Sequence, residues 1–315
     1  MINVLVALAF LAAVFMGISI GSSSVPPAFG PVTSSGITGV LKSALLAGIA
    51  AGLGAILQGG SVSATVGNGM VVGEVQALQA FIILLVASVL VIASVVGKYP
   101  MPTAFTVVGA VIGSALSFNE GVVWPTVNKV VGYWLIIPFI AMGMGYVISW
   151  LLRKYLPKEK SKKKIQYTAL GAGLFLAYTA GANSVGLAVG PLFSLGYELT
   201  FLLLIGGISI LMGAWALSPK IIDAVSFEYS NVGPRRSIAA LGTAAILAQI
   251  GVFLGIPISF SEAIIASVLG SGMVVGKSNV GKKKLGFTAG AWIFAFFLAI
   301  ISTYALSEAV QYIGL

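Results

Sequence analysis

Gly21-Ser22-Ser23-Ser24-Val25-Pro26-Pro27-Ala28-Phe29-Gly30-Pro31 returns 160 residues later as Gly181-Ala182-Asn183-Ser184-Val185-Gly186-Leu187-Ala188-Val189-Gly190-Pro191. Two more pairs keep the same order. Tyr99-Pro100-Met101-Pro102-Thr103 returns as Ile256-Pro257-Ile258-Ser259-Phe260, and Gly132-Tyr133-Trp134 as Gly290-Ala291-Trp292, at offsets of 157 and 158. Such a spacing is far too long for a solenoid and suits a duplicated half-protein. In an apolar chain, two such halves are the construction plan of a secondary transporter.

The chain is that apolar. It is 58% AVILMFWYC and 8% charged, where a water-soluble domain carries about 25% charged residues. Ten apolar segments, at 2–20, 41–58, 77–97, 101–118, 130–152, 165–182, 197–217, 237–255, 257–276 and 285–306, are about long enough to cross a hydrocarbon core of roughly 30 Å. Segment 2–20 lacks the basic start of a signal peptide and is read as the first spanning helix. The expected fold is an all-α polytopic membrane protein.

Ten segments divide into five per half, and an odd number requires the second half to enter the membrane upside down. The expected organisation is a first inverted repeat at 1–152, a basic linker at 153–164 and a second inverted repeat at 165–315. Charge agrees with that count. With 153–164 on the cytoplasmic side and both termini outside, every one of the 17 Lys/Arg except Lys129 falls on an inner connection. The formal net charge of +9 is therefore a topology signal and not a nucleic-acid surface. The reading is a multi-pass protein of the cell (inner) membrane, with the lipid bilayer as its partner and no nucleic acid.

Between these segments lie stretches rich in Gly, Ser and Pro, at 21–39, 59–73, 183–196 and 218–234. They are too polar to span and too apolar for ordinary loops. Non-helical backbone at membrane depth survives where protein buries it or where it lines a wet cavity. Matching interruptions in the two halves point to a transport site, and raise the count to between ten and twelve membrane segments.

There is no Cys and no His, which removes thiolate metal sites, the commonest metal ligand and the commonest general base. An enzyme would have a thin acid–base inventory here, and no cofactor is expected beyond a co-transported Na+ or H+. The candidate substrate ligands are hydroxyls and amides beside helix breaks: Ser22, Ser23, Ser24, Thr103, Asn183, Ser184, Ser259 and Ser261. Free N–H groups at a helix start, joined by hydroxyl donors, bind an oxyanion well. Small residues at these positions also suit close helix packing or simple capping. Glu262 opens a deeply placed segment, where a carboxylate is costly unless paired, hydrated or titrating. It is read as a cation-coupling residue or a helix-dipole acid, and Asn183 as a second coupling candidate.

At the two motif pairs the chain resembles the inorganic phosphate transporter (PiT) family, whose superfamily includes sulfate permeases. That family carries a duplicated G-A-N-D-V-A-N-A element and a duplicated G-x-P-V-S-T-T-H element. The matches here are Gly181-Ala182-Asn183-Ser184-Val185-Gly186-Leu187-Ala188 and Gly255-Ile256-Pro257-Ile258-Ser259-Phe260-Ser261-Glu262. The resemblance implies an inverted-repeat helical transporter, a homodimer, moving a tetrahedral oxyanion with a cation in symport. The departures are specific. The motif aspartates fall on Ser24 and Ser184, and the motif histidines on Phe105 and Glu262. Losing both carboxylates weakens the case for sodium and strengthens that for a proton or a sulfate-like substrate. The expected function is an alternating-access permease for phosphate or sulfate. The rival readings are a ten-helix metabolite exporter and a passive anion channel.

Overall fold

In the computed structural model the described residues are 2–96, 102–155, 162–223, 233–274, 276 and 282–314. The tip of the first hairpin at 97–101, half of the linker at 156–161 and most of the 218–234 stretch lie outside them. Among the described residues the chain is helical, and its extended structure is confined to one antiparallel bridge between Val71 and Val122.

Ten long segments appear where hydropathy places them. They are α1 (Ile2–Ser23), α3 (Val40–Gln58), α5 (Ala77–Val96), α6 (Thr103–Ser117), α7 (Trp124–Tyr155), α8 (Lys162–Phe193), α9 (Leu199–Leu217), α10 (Pro234–Leu254), α11 (Phe260–Met273) and α12 (Lys282–Tyr312). Two short helices, α2 (Gly30–Ser34) and α4 (Gly60–Asn68), fill two of the Gly/Ser-rich stretches. Eight of these helices are long and apolar enough to cross a bilayer, while α6 and α11 are shorter apolar helices of 15 and 14 residues. At 1.5 Å per residue the short pair rise only about 22 Å, less than a hydrocarbon core. The protein is a multi-pass membrane protein.

The packing is reciprocal. α3 lies on α8 as α1 lies on α9, and α6 lies on α12 as α11 lies on α7. α1 also packs on α5, as α8 packs on α10. Each short helix is therefore held by a long helix from the other end of the chain. Glycines permit the closest of these contacts. A Cβ on Gly181 would collide with the Ala51 carbonyl, and one on Gly54 with that of Tyr178, so α3 and α8 touch backbone to backbone.

Exposure separates centre from rim. In α8 78% of the most apolar window is buried, against 22% in both α7 and α12. α7 turns Leu135, Ile136, Phe139 and Ile140 outward, and α12 turns Ile293, Phe294, Phe297 and Ile301 outward. Such surfaces suit acyl chains rather than water. At the start of α9 the exposed Glu198 caps the helix, accepting the N–H groups of Thr200 and Phe201 at 3.1 Å each. Hydrogen bonding by Thr200 first, and then Phe201, holds its carboxyl below the usual range.

Candidate functional site

The first Gly-Ser motif is a true helix end. Pro26 and Pro27 have no N–H to continue the ladder, so α1 stops at Ser23 and the chain turns through a 3-10 segment, Pro26–Ala28. Ser22 and Ser23 donate back to the Ser19 carbonyl at 2.9 and 2.8 Å. Ser218 donates to the Gly21 carbonyl at 3.1 Å, taking up an acceptor beside the break.

The second motif is different. Sequence reading expects an interruption at 183–196, but α8 runs unbroken through Asn183, Ser184 and Pro191 to Phe193. Gly186 and Leu187 stand where Pro26 and Pro27 stand in the first copy, so nothing stops the ladder there. Pro191 falls within the last turn, where helix termination is already near.

Asn183 binds the tip of the second hairpin. Its Nδ2 donates to the Ile256 carbonyl at 2.8 Å, and its Oδ1 accepts the Ile258 N–H at 2.9 Å. Both ends of the buried carboxamide are thus engaged by one stretch of irregular backbone, which a bilayer would leave unsatisfied. The tip itself begins at Gly255, whose φ of 66° closes α10 in the left-handed conformation. The Trp134 indole N–H donates to the Pro257 carbonyl at 2.9 Å, while its ring stacks on Phe105 with centroids 3.9 Å apart. One tryptophan on α7 therefore touches both the second tip and the first turn of α6. Sequence reading marked Trp134 only as part of a repeated pair, which was the available signal.

Between the start of α6, the second tip and the end of α1 lies a small, partly open cavity of about 20 Å³. It is lined by Ser23, Ser24, Pro27, Pro102, Thr103, Ser259, Phe260 and Ser261. Of the eight proposed substrate ligands, Ser23, Ser24, Thr103, Ser259 and Ser261 are on this wall. Ser22, Asn183 and Ser184 are buried and not among the lining residues. Ser24 Oγ lies 3.4 Å from Thr103 Oγ1, joining the end of α1 to the start of α6.

The wall carries no ionised side chain, and its polar groups are hydroxyls beside the N–H groups of two helix starts. α6 starts after Pro102, which offers no side-chain cap, so its first-turn N–H groups have no intrahelical partner. In α11 the Ser259 hydroxyl accepts the Glu262 N–H at 3.3 Å, leaving its own proton free to donate. The positive ends of two helix dipoles meet across one small polar space, an arrangement that attracts anions.

Glu262 sits in the first turn of α11 with 6% exposure, and its Oε2 has no hydrogen-bond partner among the described residues. Ser184 Oγ is likewise buried without a partner. No group of three or more His, Cys, Asp or Glu able to hold a metal ion occurs among the described residues.

The sequence model of the Phosphate transporter family matches residues 20–170 and 157–303, nearly the whole chain in two stretches. The chain belongs to the phosphate transporter family. Within that family's relatives, it is 29% identical over 306 residues to the sulfate permease CysP of Bacillus subtilis, covering 95% of this chain and 86% of that protein. It is 28% identical over 192 residues to sodium-dependent phosphate transporter 1 of Mus musculus, covering 56% of this chain and 27% of that one. Among solved structures it resembles the sodium-dependent phosphate transporter, with a TM-score of 0.82, 20% identity and 98% coverage of both chains. That likeness concerns the fold. This member of the phosphate transporter family is a transporter and not an enzyme.

Proposed function

We propose that this member of the phosphate transporter family is a secondary active permease for an inorganic oxyanion, phosphate or sulfate. The observation that carries the reading is the donor-lined cavity formed jointly by α1 and the two short helices. Ser24, Thr103, Ser259 and Ser261 supply hydroxyls, Ser23 completes the wall, and the starts of α6 and α11 supply backbone N–H groups. Asn183 and Trp134 position the second tip, and Ser22 and Ser184 are buried away from the wall. A dehydrated anion without nearby positive charge is expensive, so transport is cation-coupled, and the co-transported cation offsets part of that cost.

Transport proceeds by alternating access between two inverted repeats. Reciprocal packing supports this: exchanging α1 with α8, α3 with α9, α5 with α10, α6 with α11 and α7 with α12 maps the main helix contacts onto one another. The charge bias of the connections supports the orientation of this reading, with the termini outside and the 153–164 linker on the cytoplasmic side of the inner membrane. The family resemblance adds a homodimer.

The test is uptake of radiolabelled phosphate and sulfate into proteoliposomes under an imposed sodium or pH gradient. Concentrative uptake of one anion is the expected result, and the effective gradient names the cation. Uptake that only dissipates a gradient would make the protein a passive anion channel. No movement of either anion by folded protein would remove the oxyanion reading and favour a metabolite exporter.

A further inference from the structure

Among the described residues Glu262 is the one carboxylate beside the cavity, and the binding site as built from hydroxyls and N–H groups does not use it. Its neighbour Ser261 lines the wall, and its own N–H is tied to the hydroxyl of Ser259, another wall residue. The side chain is buried and Oε2 has no partner among the described residues. We propose that Glu262 is the site at which a proton binds and travels with the oxyanion, a deepening that rests on the oxyanion-permease reading above.

The surroundings of Glu262 favour a proton over a fixed ion pair. α11 packs chiefly on α7 and α10. On α10 the charged groups are Arg235 and Arg236, both in its first turn. Arg236 is engaged further along α11, with Nε donating to Ser271 Oγ at 3.2 Å and Nη2 to the Val268 carbonyl at 3.3 Å. Those partners lie six and nine residues beyond Glu262, about 9 Å or more along the helix. On α7 Arg153 donates to the Val274 carbonyl at 3.3 Å, at the far end of α11. Lys154, Lys129, Tyr133, Tyr146 and Tyr155 are the other titratable groups of α7. α11 has no second charged residue, and the α1 and α6 parts of the wall have none. Lys98 and Tyr99 of the first tip lie outside the described residues.

An unpaired carboxylate in this setting is poorly solvated, and an oxyanion in the adjoining cavity would add like-charge repulsion. Protonation removes both penalties. A proton on Glu262 and an anion in the cavity therefore favour each other, and the coupling is reciprocal. In the cycle, a proton from the outer medium adds to the carboxylate as the anion enters, and both leave on the inner side. No bond to the anion is made or broken. The site occurs once per chain, because the matching position in α6 is Phe105, stacked on Trp134. The proposal thus assigns one proton to each transport cycle at this residue.

Two measurements decide it. In proteoliposomes, acid outside should drive sulfate or phosphate accumulation by the wild-type protein, with proton entry followed by an internal pH dye. E262Q mimics the protonated side chain, so it should keep anion exchange between equal pools, independent of pH, yet lose pH-driven accumulation by about five-fold or more. In weakly buffered detergent solution, sulfate or phosphate added to wild-type protein should cause proton uptake, and E262Q should show none. PH-driven accumulation with proton entry in E262Q would overturn the proposal, and so would loss of its exchange. Wild-type accumulation on a sodium gradient alone, without proton movement, overturns it while leaving the permease reading intact. Failure of the wild type to exchange either anion would instead remove that reading.

Discussion

The two copies of the Gly-Ser motif, at the end of α1 and inside α8, match in sequence but differ in backbone and surroundings. In the first, Pro26 and Pro27 end the helix, and Ser23 and Ser24 face the cavity. In the second, Gly186 and Leu187 let the helix continue, and Asn183 and Ser184 stay inside the packed centre. One copy lines a cavity with its side chains. The other offers a carboxamide to the backbone of the second hairpin tip. The difference teaches that two missing N–H groups decide whether a motif becomes a cavity wall or a strut.

The sharpest way to break this comparison is Asn183→Ala. It leaves the Ile256 carbonyl and the Ile258 N–H buried without partners, at about 1–3 kcal/mol for each group. Thermal unfolding in detergent should fall markedly, and uptake should be lost; unchanged stability would deny Asn183 its role as a strut. Next in size is the double replacement Pro26→Ala with Pro27→Ala. Restored N–H groups would let α1 continue and carry Ser23 and Ser24 off the wall, so uptake should drop about ten-fold while the protein stays folded. Pro191→Ala, at the end of α8, should change uptake by less than about two-fold in the same assay. Equal effects from both proline changes would erase the distinction between the copies.

Single hydroxyls give smaller effects. Ser24→Ala and Ser259→Ala each remove one wall hydroxyl and should weaken apparent anion affinity by roughly three- to ten-fold, read from uptake against concentration. Ser184→Ala removes a buried hydroxyl that has no partner among the described residues, so affinity should hold within about two-fold and thermal stability should stay level or rise. A Ser184 variant as impaired as the Ser24 variant would place the second motif at the ligand after all.

Much of the architecture was legible in residue order. The ten segments emerge from hydropathy with their ends displaced by a few residues, apart from α7, α8 and α12, because spanning length depends on local composition alone. Segment 165–182 was read too short: the Gly-rich composition of 183–196 suggests a break, yet glycine in a tightly packed helix serves close approach, as Gly181 and Gly190 do. Proline position separates the two cases, and only the first copy has proline inside the motif's centre.

By itself the sequence determined that the chain crosses a membrane many times, where its basic connections fall and which hydroxyls stand beside helix breaks. These are sums over neighbouring residues. Only the tertiary structure decided that Ser24, Thr103, Ser259 and Ser261 share one cavity, that Asn183 and Trp134 hold the second tip beside it, and that Glu262 is buried at its edge. Those relations join positions up to about 240 residues apart. They arise from backbone contacts between helices of opposite halves, where the absence of a Cβ sets the spacing.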